Sequence, residues 1–265
     1  MYPVVLGNPR ITSYGLLLVL ACLAAWYAAR RRAVRFAVPA HRLDVLMPLL
    51  LIGMLAGAWA AGQWGPRSAA DFSNDHQLFG GLAVAAVLVI VFARATRTPL
   101  GRLSDAFAFA LPIALVLIRT GCFLGGCCWG TLCDPRWPLG VTYPQGSPAY
   151  YQQVLGGQLP GGAARSLPVH PVPLYEAAGV LVLLVALLLL DRHWRRWGES
   201  FLASGLGYCV LRFGLEWLRA DTAVVAAGLT ESQAACLGLV IVLLGAGATR
   251  RYLAAHGRTE LYRAR

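Results

Sequence analysis

The sequence predicts an all-α integral membrane protein, with seven transmembrane helices and a periplasmic cap between helices four and five. Three observations carry that prediction. The 265 residues are 58% hydrophobic and only 13% charged, against roughly 25% charged in average soluble domains. Seven segments approach the length and apolarity that a bilayer core demands. The basic residues, all 23 of them arginine, gather at alternate ends of those segments, the pattern of the positive-inside rule.

The first span, Ile11 to Arg30, lacks a basic region before its apolar core and carries its arginines after it, so it reads as a retained helix and not as a signal peptide. Leu43 to Gly62, Gln77 to Arg94 and Ser104 to Phe123 follow. The longest non-helical stretch comes next, residues 124–169, rich in Gly, Pro and aromatic residues, among them Trp129, Trp137, Tyr143, Tyr150 and Tyr151. Interfacial Trp and Tyr suit the headgroup layer, and a loop of this length in a compact protein is usually functional. It is therefore expected to cap a site. Pro171 to Leu190, Ser200 to Arg219 and Glu231 to Thr249 complete the spans. The other connections are short and no internal repeat is visible, so residues 1–265 read as one membrane domain.

Charge sets the expected orientation. Arg30, Arg31, Arg32, Arg35 and Arg42 follow span one; Arg94, Arg97 and Arg102 follow span three; Arg192, Arg195 and Arg196 follow span five; Arg250, Arg251, Arg258, Arg263 and Arg265 follow span seven. The opposite connections hold only Arg10, Arg67, Arg119, Arg136, Arg165 and Arg219. The amino terminus is then periplasmic and the carboxyl terminus cytoplasmic. The net charge of +11 is mostly topology. Nucleic acid is excluded as a partner, because the arginines sit at membrane ends and no recognition module accompanies them.

Arg212, Glu216 and Arg219 interrupt the sixth span. At about 100° per residue their directions fall within roughly 60° of one another, and Tyr208 widens the arc to about 80°. One face of one helix is expected to carry all four. A charge at membrane depth costs at least about 2.5 to 3.5 kcal/mol, so such residues turn into a bundle interior and mark a substrate or ion path; the plainer alternative is an ion pair that locks two helices. A small transporter or channel would use the same residue types, but the inner ends of the spans show little polarity beyond their arginines.

Cys122, Cys127, Cys128 and Cys133 cluster on the predicted outer side, in a compartment that permits disulfides. A bridge from Cys122 or Cys127 to Cys133, small buried thiols, and a metal or redox site are the open readings. Cys22, Cys209 and Cys236 lie within spans as core residues.

Six motifs in order carry a resemblance: Ser13-Tyr14-Gly15-Leu16; Gly80-Gly81-Leu82; Arg119-Thr120-Gly121-Cys122-Phe123 with Trp129-Gly130; His170-Pro171-Val172-Pro173-Leu174-Tyr175-Glu176; Arg212-Phe213-Gly214-Leu215-Glu216-Trp217-Leu218-Arg219; and Leu229-Thr230-Glu231-Ser232-Gln233. Together they resemble the prolipoprotein diacylglyceryl transferase family over nearly the whole chain. The resemblance implies transfer of the diacylglyceryl group of phosphatidylglycerol to the lipobox cysteine of a prolipoprotein, with release of glycerol phosphate. It implies membrane lipids and prolipoprotein signal peptides as partners, the bacterial inner membrane as location, and no metal or organic cofactor.

Such a displacement needs cations on the departing phosphate and an exit for the thiol proton. The planar fork of arginine suits the first need. Arg119, beside Gly121, Gly125 and Gly126, is expected on the phosphate, its alternative being a snorkelling arginine at a helix end. Arg212 is expected to stabilise phosphate or leaving-group charge, with Glu216 holding it and Arg219 at the outer mouth. His170 is expected as the base, or else as a helix-entry residue bonded to the loop. Gly80, Gly81, Gly121, Gly130, Tyr175 and Glu176 are expected to line or brace the substrate pocket, and Tyr14 and Tyr208 to donate to the lipid. The chain departs from the family at Phe79, where a histidine is usual, with His76 one turn earlier. It also has Cys122, Gly125 and Cys127 where asparagine, asparagine and an acid are common. A divergent paralogue, or a thiol redox protein built on Cys122, Cys127, Cys128 and Cys133, is the alternative.

Overall fold

The computed structural model describes residues 12–64, 75–193, 196–220, 222 and 224–256. Nine α-helices run through the described residues: α1 (Ser13–Arg35), α2 (Ala40–Trp64), α3 (Asp75–Ala95), α4 (Leu100–Phe107), α5 (Ala110–Gly125), α6 (Pro148–Leu155), α7 (Val172–Leu190), α8 (Glu199–Leu215) and α9 (Glu231–Ala255). A two-stranded hairpin, β1 (Val224–Ala226) and β2 (Leu229–Thr230), precedes α9. Six stretches of the described chain are long and apolar enough to cross a membrane: Ser13–Arg35, Ala40–Gln63, Gln77–Ala95, Leu100–Gly125, Val172–His193 and Glu231–Tyr252. The molecule is an all-helical, multi-pass integral membrane protein.

Helix ends follow local chemistry. The Thr12 hydroxyl accepts from the Gly15 N–H at 3.0 Å and opens α1. Thr230 and Gln233 form a reciprocal capping box on α9. At the far end of α5, Gly126 adopts a left-handed conformation (φ +76°), and the N–H groups of Gly126 and Cys127 close back on the carbonyls of Phe123 and Cys122 at 3.3 and 3.1 Å. A residue with a side chain would be strained at that turn.

Helix neighbours follow the order α3, α2, α1, α5, α7, α8, α9, with α4 against α1 and α8 and a further touch between α3 and α9. The Leu100–Gly125 span lies innermost, 44% buried against 11% for the spans of α2 and α3. Close approach depends on small residues, since lipid tails supply no hydrophobic drive between helices. On α1 the buried stripe is Ala21, Ala25, Ala29 and Ala33. Between α2 and α3, a Cβ on Gly57 would fall 2.6 Å from the Gly80 carbonyl oxygen, and one on Gly81 would fall 2.8 Å from that of Met54. Gly80 and Gly81 are thus backbone contacts within a helix pair. Large apolar side chains such as Leu23, Ile52, Val182, Leu189 and Ile241 face outward, as a lipid environment requires.

The arginine-rich end is knit by ions. Arg32 and Arg35 hold Asp191, and Arg30 holds Asp44, which also accepts from the Trp26 indole at 2.9 Å. Asp105 on α4 reaches the start of α8, accepting from the Ser200 hydroxyl at 2.7 Å, the Phe201 N–H at 3.0 Å and the Gly198 N–H. It serves as an N-terminal cap supplied by another helix. At the opposite end, residues 126–171 form a folded layer around buried Trp129, Tyr143, Ala149 and Val169. That layer is tied to the end of α8 by Thr131 N–H to Leu218 O at 2.8 Å and by the Gln152 amide to Ala220 O at 2.9 Å.

Two predicted spans differ from the structure. Ser104 to Phe123 is two helices, because Pro112 cannot donate to the Ala108 carbonyl and the chain turns at Ala108 and Phe109. Ser200 to Arg219 is not one helix. α8 ends at Leu215, a 3₁₀ turn covers Glu216–Leu218, and Arg219 is extended (ψ 142°) and bridged to Gly130. The layer's backbone competes there for the carbonyls that another α-helical turn would use.

Replacing Asp105 by Ala strands three donors at the α4–α8 junction. The expected loss of stability is about 3 kcal/mol, read by thermal unfolding in detergent, while Asp44→Ala, at a half-exposed site, is expected to cost far less.

Candidate functional site

Three helices converge on one buried carboxylate. α5 brings Arg119, α7 brings Glu176 and α8 brings Tyr208. Glu176 is 1% exposed and Arg119 8%, depths at which neither charge can rely on water. The Arg119 Nε lies 2.9 Å from Glu176 Oε1. That contact is Coulombic, since the buried Nε–H is aligned with no acceptor. The Tyr208 hydroxyl donates to the same Oε1 at 2.8 Å. Arg119 Nη1 also donates to Cys128 Sγ at 3.8 Å.

A second buried cluster lies one turn further along α8. Arg212 donates to Glu216 and, at 2.9 Å, to the Ser232 hydroxyl, while the Thr230 hydroxyl donates to the other Glu216 oxygen at 2.8 Å. Arg212, Glu216, Arg219 and Ser232 are all buried. Tyr208 stands between the clusters and feels the charge of both Arg119 and Arg212. The predicted single polar face is therefore a chain of two ion pairs. Glu216 pairs with Arg212, and the break in α8 carries Arg219 away onto the bridge with Gly130.

His170 belongs to neither pair. Its Nδ1 lies 3.3 Å from the Tyr175 hydroxyl, which accepts from the Trp137 indole at 3.0 Å, and its ring meets Trp137 edge-on at 5.8 Å. With the Tyr175 oxygen already accepting one bond, its own proton is free to point at His170. Tyr175 and Glu176 are consecutive on α7, so one helix turn carries the aromatic group outward and the carboxylate inward. Gly130 lies against His170: its N–H donates to the His170 carbonyl at 2.9 Å, and a Cβ there would clash at 2.7 Å. Gly121 faces Tyr14 across the α1–α5 crossing, where a Cβ would lie 3.3 Å from the Tyr14 ring. His76 lies outside the residues whose side chains are described, and Gly80 and Gly81 pack helices as above.

The cysteines follow from the closure of α5. Cys127 and Cys122 are paired by the Gly126 turn, Cys127 Sγ pointing at the Cys122 carbonyl at 3.6 Å, and Cys128 Sγ lies 3.8 Å from Cys127 Sγ. Cys128 has φ +60°, a strained value for a residue with a side chain. Hydrogen bonding to Cys122, with Cys128 and burial adding to it, raises the Cys127 thiol above its ordinary value. All seven cysteines are free. The expected bridge to Cys133 is not formed: Cys133 lies outside the cluster of the other three and packs on Gly140, its thiol raised chiefly by burial. A cleft of about 170 Å³ opens beside them, between Leu124–Gly126 and residues 143–148. It is lined by no charged side chain.

Nothing local marks Thr230 and Ser232 as partners of Glu216 and Arg212, or Trp137 as the donor to Tyr175. Thr230 and Ser232 sit in the motif that opens α9, and only the fold brings that motif to Arg212.

Because removing one partner of a buried pair leaves the other charge uncompensated, Arg119→Gln and Glu176→Gln are each expected to cost about 3 to 5 kcal/mol. The double variant is expected to lose less than their sum. Unfolding of the four proteins in one detergent checks this, and strict additivity would show that the two side chains are energetically independent.

The model of the family described as prolipoprotein diacylglyceryl transferase matches residues 76–248. Relatives that carry the name phosphatidylglycerol–prolipoprotein diacylglyceryl transferase include the following three. The one from Rhodopirellula baltica is 29% identical over 63% of this chain and 36% of its own length. The one from Paracidovorax citrulli is 31% identical over 65% of this chain and 60% of its own length. The one from Methylococcus capsulatus is 30% identical over 92% of this chain and 94% of its own length. The chain thus spans less than two thirds of the first two relatives and nearly all of the third.

Proposed function

The chain belongs to the prolipoprotein diacylglyceryl transferase family, and on that premise we propose that it transfers the diacylglyceryl group of phosphatidylglycerol to the lipobox cysteine of prolipoproteins, releasing glycerol phosphate. The observation that carries the reading onto this chain's own residues is the buried Arg119–Glu176–Tyr208 cluster. It holds a guanidinium rigid and desolvated where three helices meet, with one N–H unaligned to any protein acceptor.

The reaction is displacement at carbon. The acceptor sulfur bonds to the terminal glyceryl carbon, the carbon–oxygen bond breaks, and its electron pair leaves on glycerol phosphate. Negative charge grows on phosphate oxygen as that bond breaks. Arg119 meets it through a fork that stays charged when buried, and Arg212 adds a second cation one helix away. Glu176 and Glu216 hold the two arginines in place, so the dipoles need no reorganisation when charge shifts. Tyr208 and Tyr14 donate to glycerol or ester oxygens. His170, bonded to Tyr175, takes the thiol proton, Gly121 and Gly130 keep the backbone close to the substrate, and Arg219 guards the outer mouth.

In this reading α8, 17 residues long, also crosses, together with its 3₁₀ turn, as the sixth of seven spans. The layer 126–171 is the periplasmic cap, and residues 1–265 form one domain in the bacterial inner membrane. Its amino terminus is periplasmic and its carboxyl terminus cytoplasmic, the ion-knit arginine end lying inside. The site opens sideways to the outer leaflet, because the donor is a lipid and the acceptor arrives on a signal peptide.

Expression in cells depleted of their own transferase, with mass spectrometry of a reporter lipoprotein, tests this. A mass gain of one diacylglyceryl group on the lipobox cysteine is expected, reduced roughly 100-fold or more by Arg119→Ala. Unmodified reporter beside well-inserted wild-type protein would reject the reading, and full turnover by His170→Gln would remove His170 as the base.

A further inference from the structure

From the three thiols gathered at the end of α5 we infer a thiolate site for a zinc-class cation that holds the acceptor cysteine on its fourth position, a role that rests on the transfer reading above. The Sγ atoms of Cys122, Cys127 and Cys128 all lie within 4.8 Å of one another, Cys122 buried and the other two half-buried. With Zn–S distances of about 2.3 Å, a tetrahedral ion needs sulfurs about 3.8 Å apart. Cys127 and Cys128 already stand at 3.8 Å.

Adjacent cysteines ordinarily point their side chains apart, which argues against one ion between them. Here the backbone removes that objection. The Gly126 turn stacks Cys127 on Cys122, and the left-handed Cys128 swings its sulfur back to the same side. The closing turn of a helix commonly brings an apolar side chain into the position of Cys127, and packing alone would account for Cys122 and Cys127. It does not account for Cys128, whose strained backbone brings a third thiol into the group and against a buried arginine, Arg119 Nη1 at 3.8 Å.

Charge agrees. Three thiolates and a divalent ion carry one negative charge, and Arg119 stands beside it, its Nε facing Glu176 and its Nη1 facing Cys128. Three protein ligands leave one position open, the arrangement of catalytic rather than structural zinc. Cys128 Sγ stands 3.8 Å from the guanidinium assigned to the phosphate, so a thiol bound to the ion is held near the glyceryl carbon whose oxygen is leaving. Coordination holds the acceptor sulfur as thiolate. The S–H bond breaks, sulfur forms the S–C bond, and the C–O bond breaks with its pair left on phosphate. The thiol proton passes to His170 and from it to the released glycerol phosphate. No oxidant or reductant takes part.

The test uses the full chain, purified in detergent under reducing conditions, exposed to Zn²⁺ and desalted. One zinc per chain is expected, falling roughly tenfold or more in Cys122→Ser, Cys127→Ser or Cys128→Ser and retained in Cys133→Ser. Co²⁺ titration of the unaltered protein is expected to give thiolate-to-cobalt charge-transfer absorption, which requires no variant to fold. Absence of that absorption, zinc insensitive to all three substitutions, or a disulfide within the triad would overturn the site. Transfer to a reporter peptide is scored on the same preparation before and after a soft chelator. Loss on chelation and recovery with Zn²⁺ supports the thiol-holding role. Full transfer by zinc-free protein overturns the thiol-holding role and leaves the transfer reading standing. Zinc bound to the triad without any transfer keeps the ion site but overturns both the thiol-holding role and the transfer reading.

Discussion

The Arg119–Glu176 pair is the interaction on which the rest of this structure depends. A guanidinium and a carboxylate at membrane depth are each unaffordable alone; together they tie the innermost helix to α7, and Tyr208 extends the tie to α8. The three helices that line the proposed site are therefore held by polar contacts whose geometry is also the proposed function. Breaking the pair loosens the bundle and misplaces the cation at once. Arg212 and Glu216 repeat the device between α8 and the start of α9.

Everything else in the bundle permits that convergence. Alanines along α1 and the glycines between α2 and α3 let backbones touch without large side chains, which is how helices associate in a solvent as apolar as themselves. Asp105 sets the start of α8 from the arginine-rich end, and the folded layer 126–171 sets its finish through Leu218 and Ala220. α8 is thus clamped at both ends while its middle presents Tyr208 and Arg212.

Much of this was legible in the sequence because membrane physics writes in long words. A run of apolar residues marks a span, arginines mark its end, and Arg212 with Glu216 four residues later are partners on any helix. What stayed hidden depends on contacts between distant segments. Nothing local says that α8 stops at Leu215, because the competing hydrogen bonds come from the Thr131 N–H, which donates to Leu218, and the Trp129 carbonyl, which accepts from Ala220. Nothing local says that Glu176 is Arg119's partner while Tyr175 turns to His170. Nothing local says that Gly80 and Gly81 lie against the backbone of Gly57 and Met54. Cys122 and Cys127 were within reach, since Gly126 is a helix-ending signal that stacks the residues on either side of it.

The most direct test of the central claim is lipid selectivity. The purified protein would be equilibrated with equal amounts of phosphatidylglycerol and phosphatidylethanolamine, and the retained lipid counted by native mass spectrometry. The account predicts enrichment of phosphatidylglycerol on the native chain and loss of that preference in Arg119→Gln. Equal retention of both lipids by the native chain, or a preference unchanged by the substitution, would contradict it.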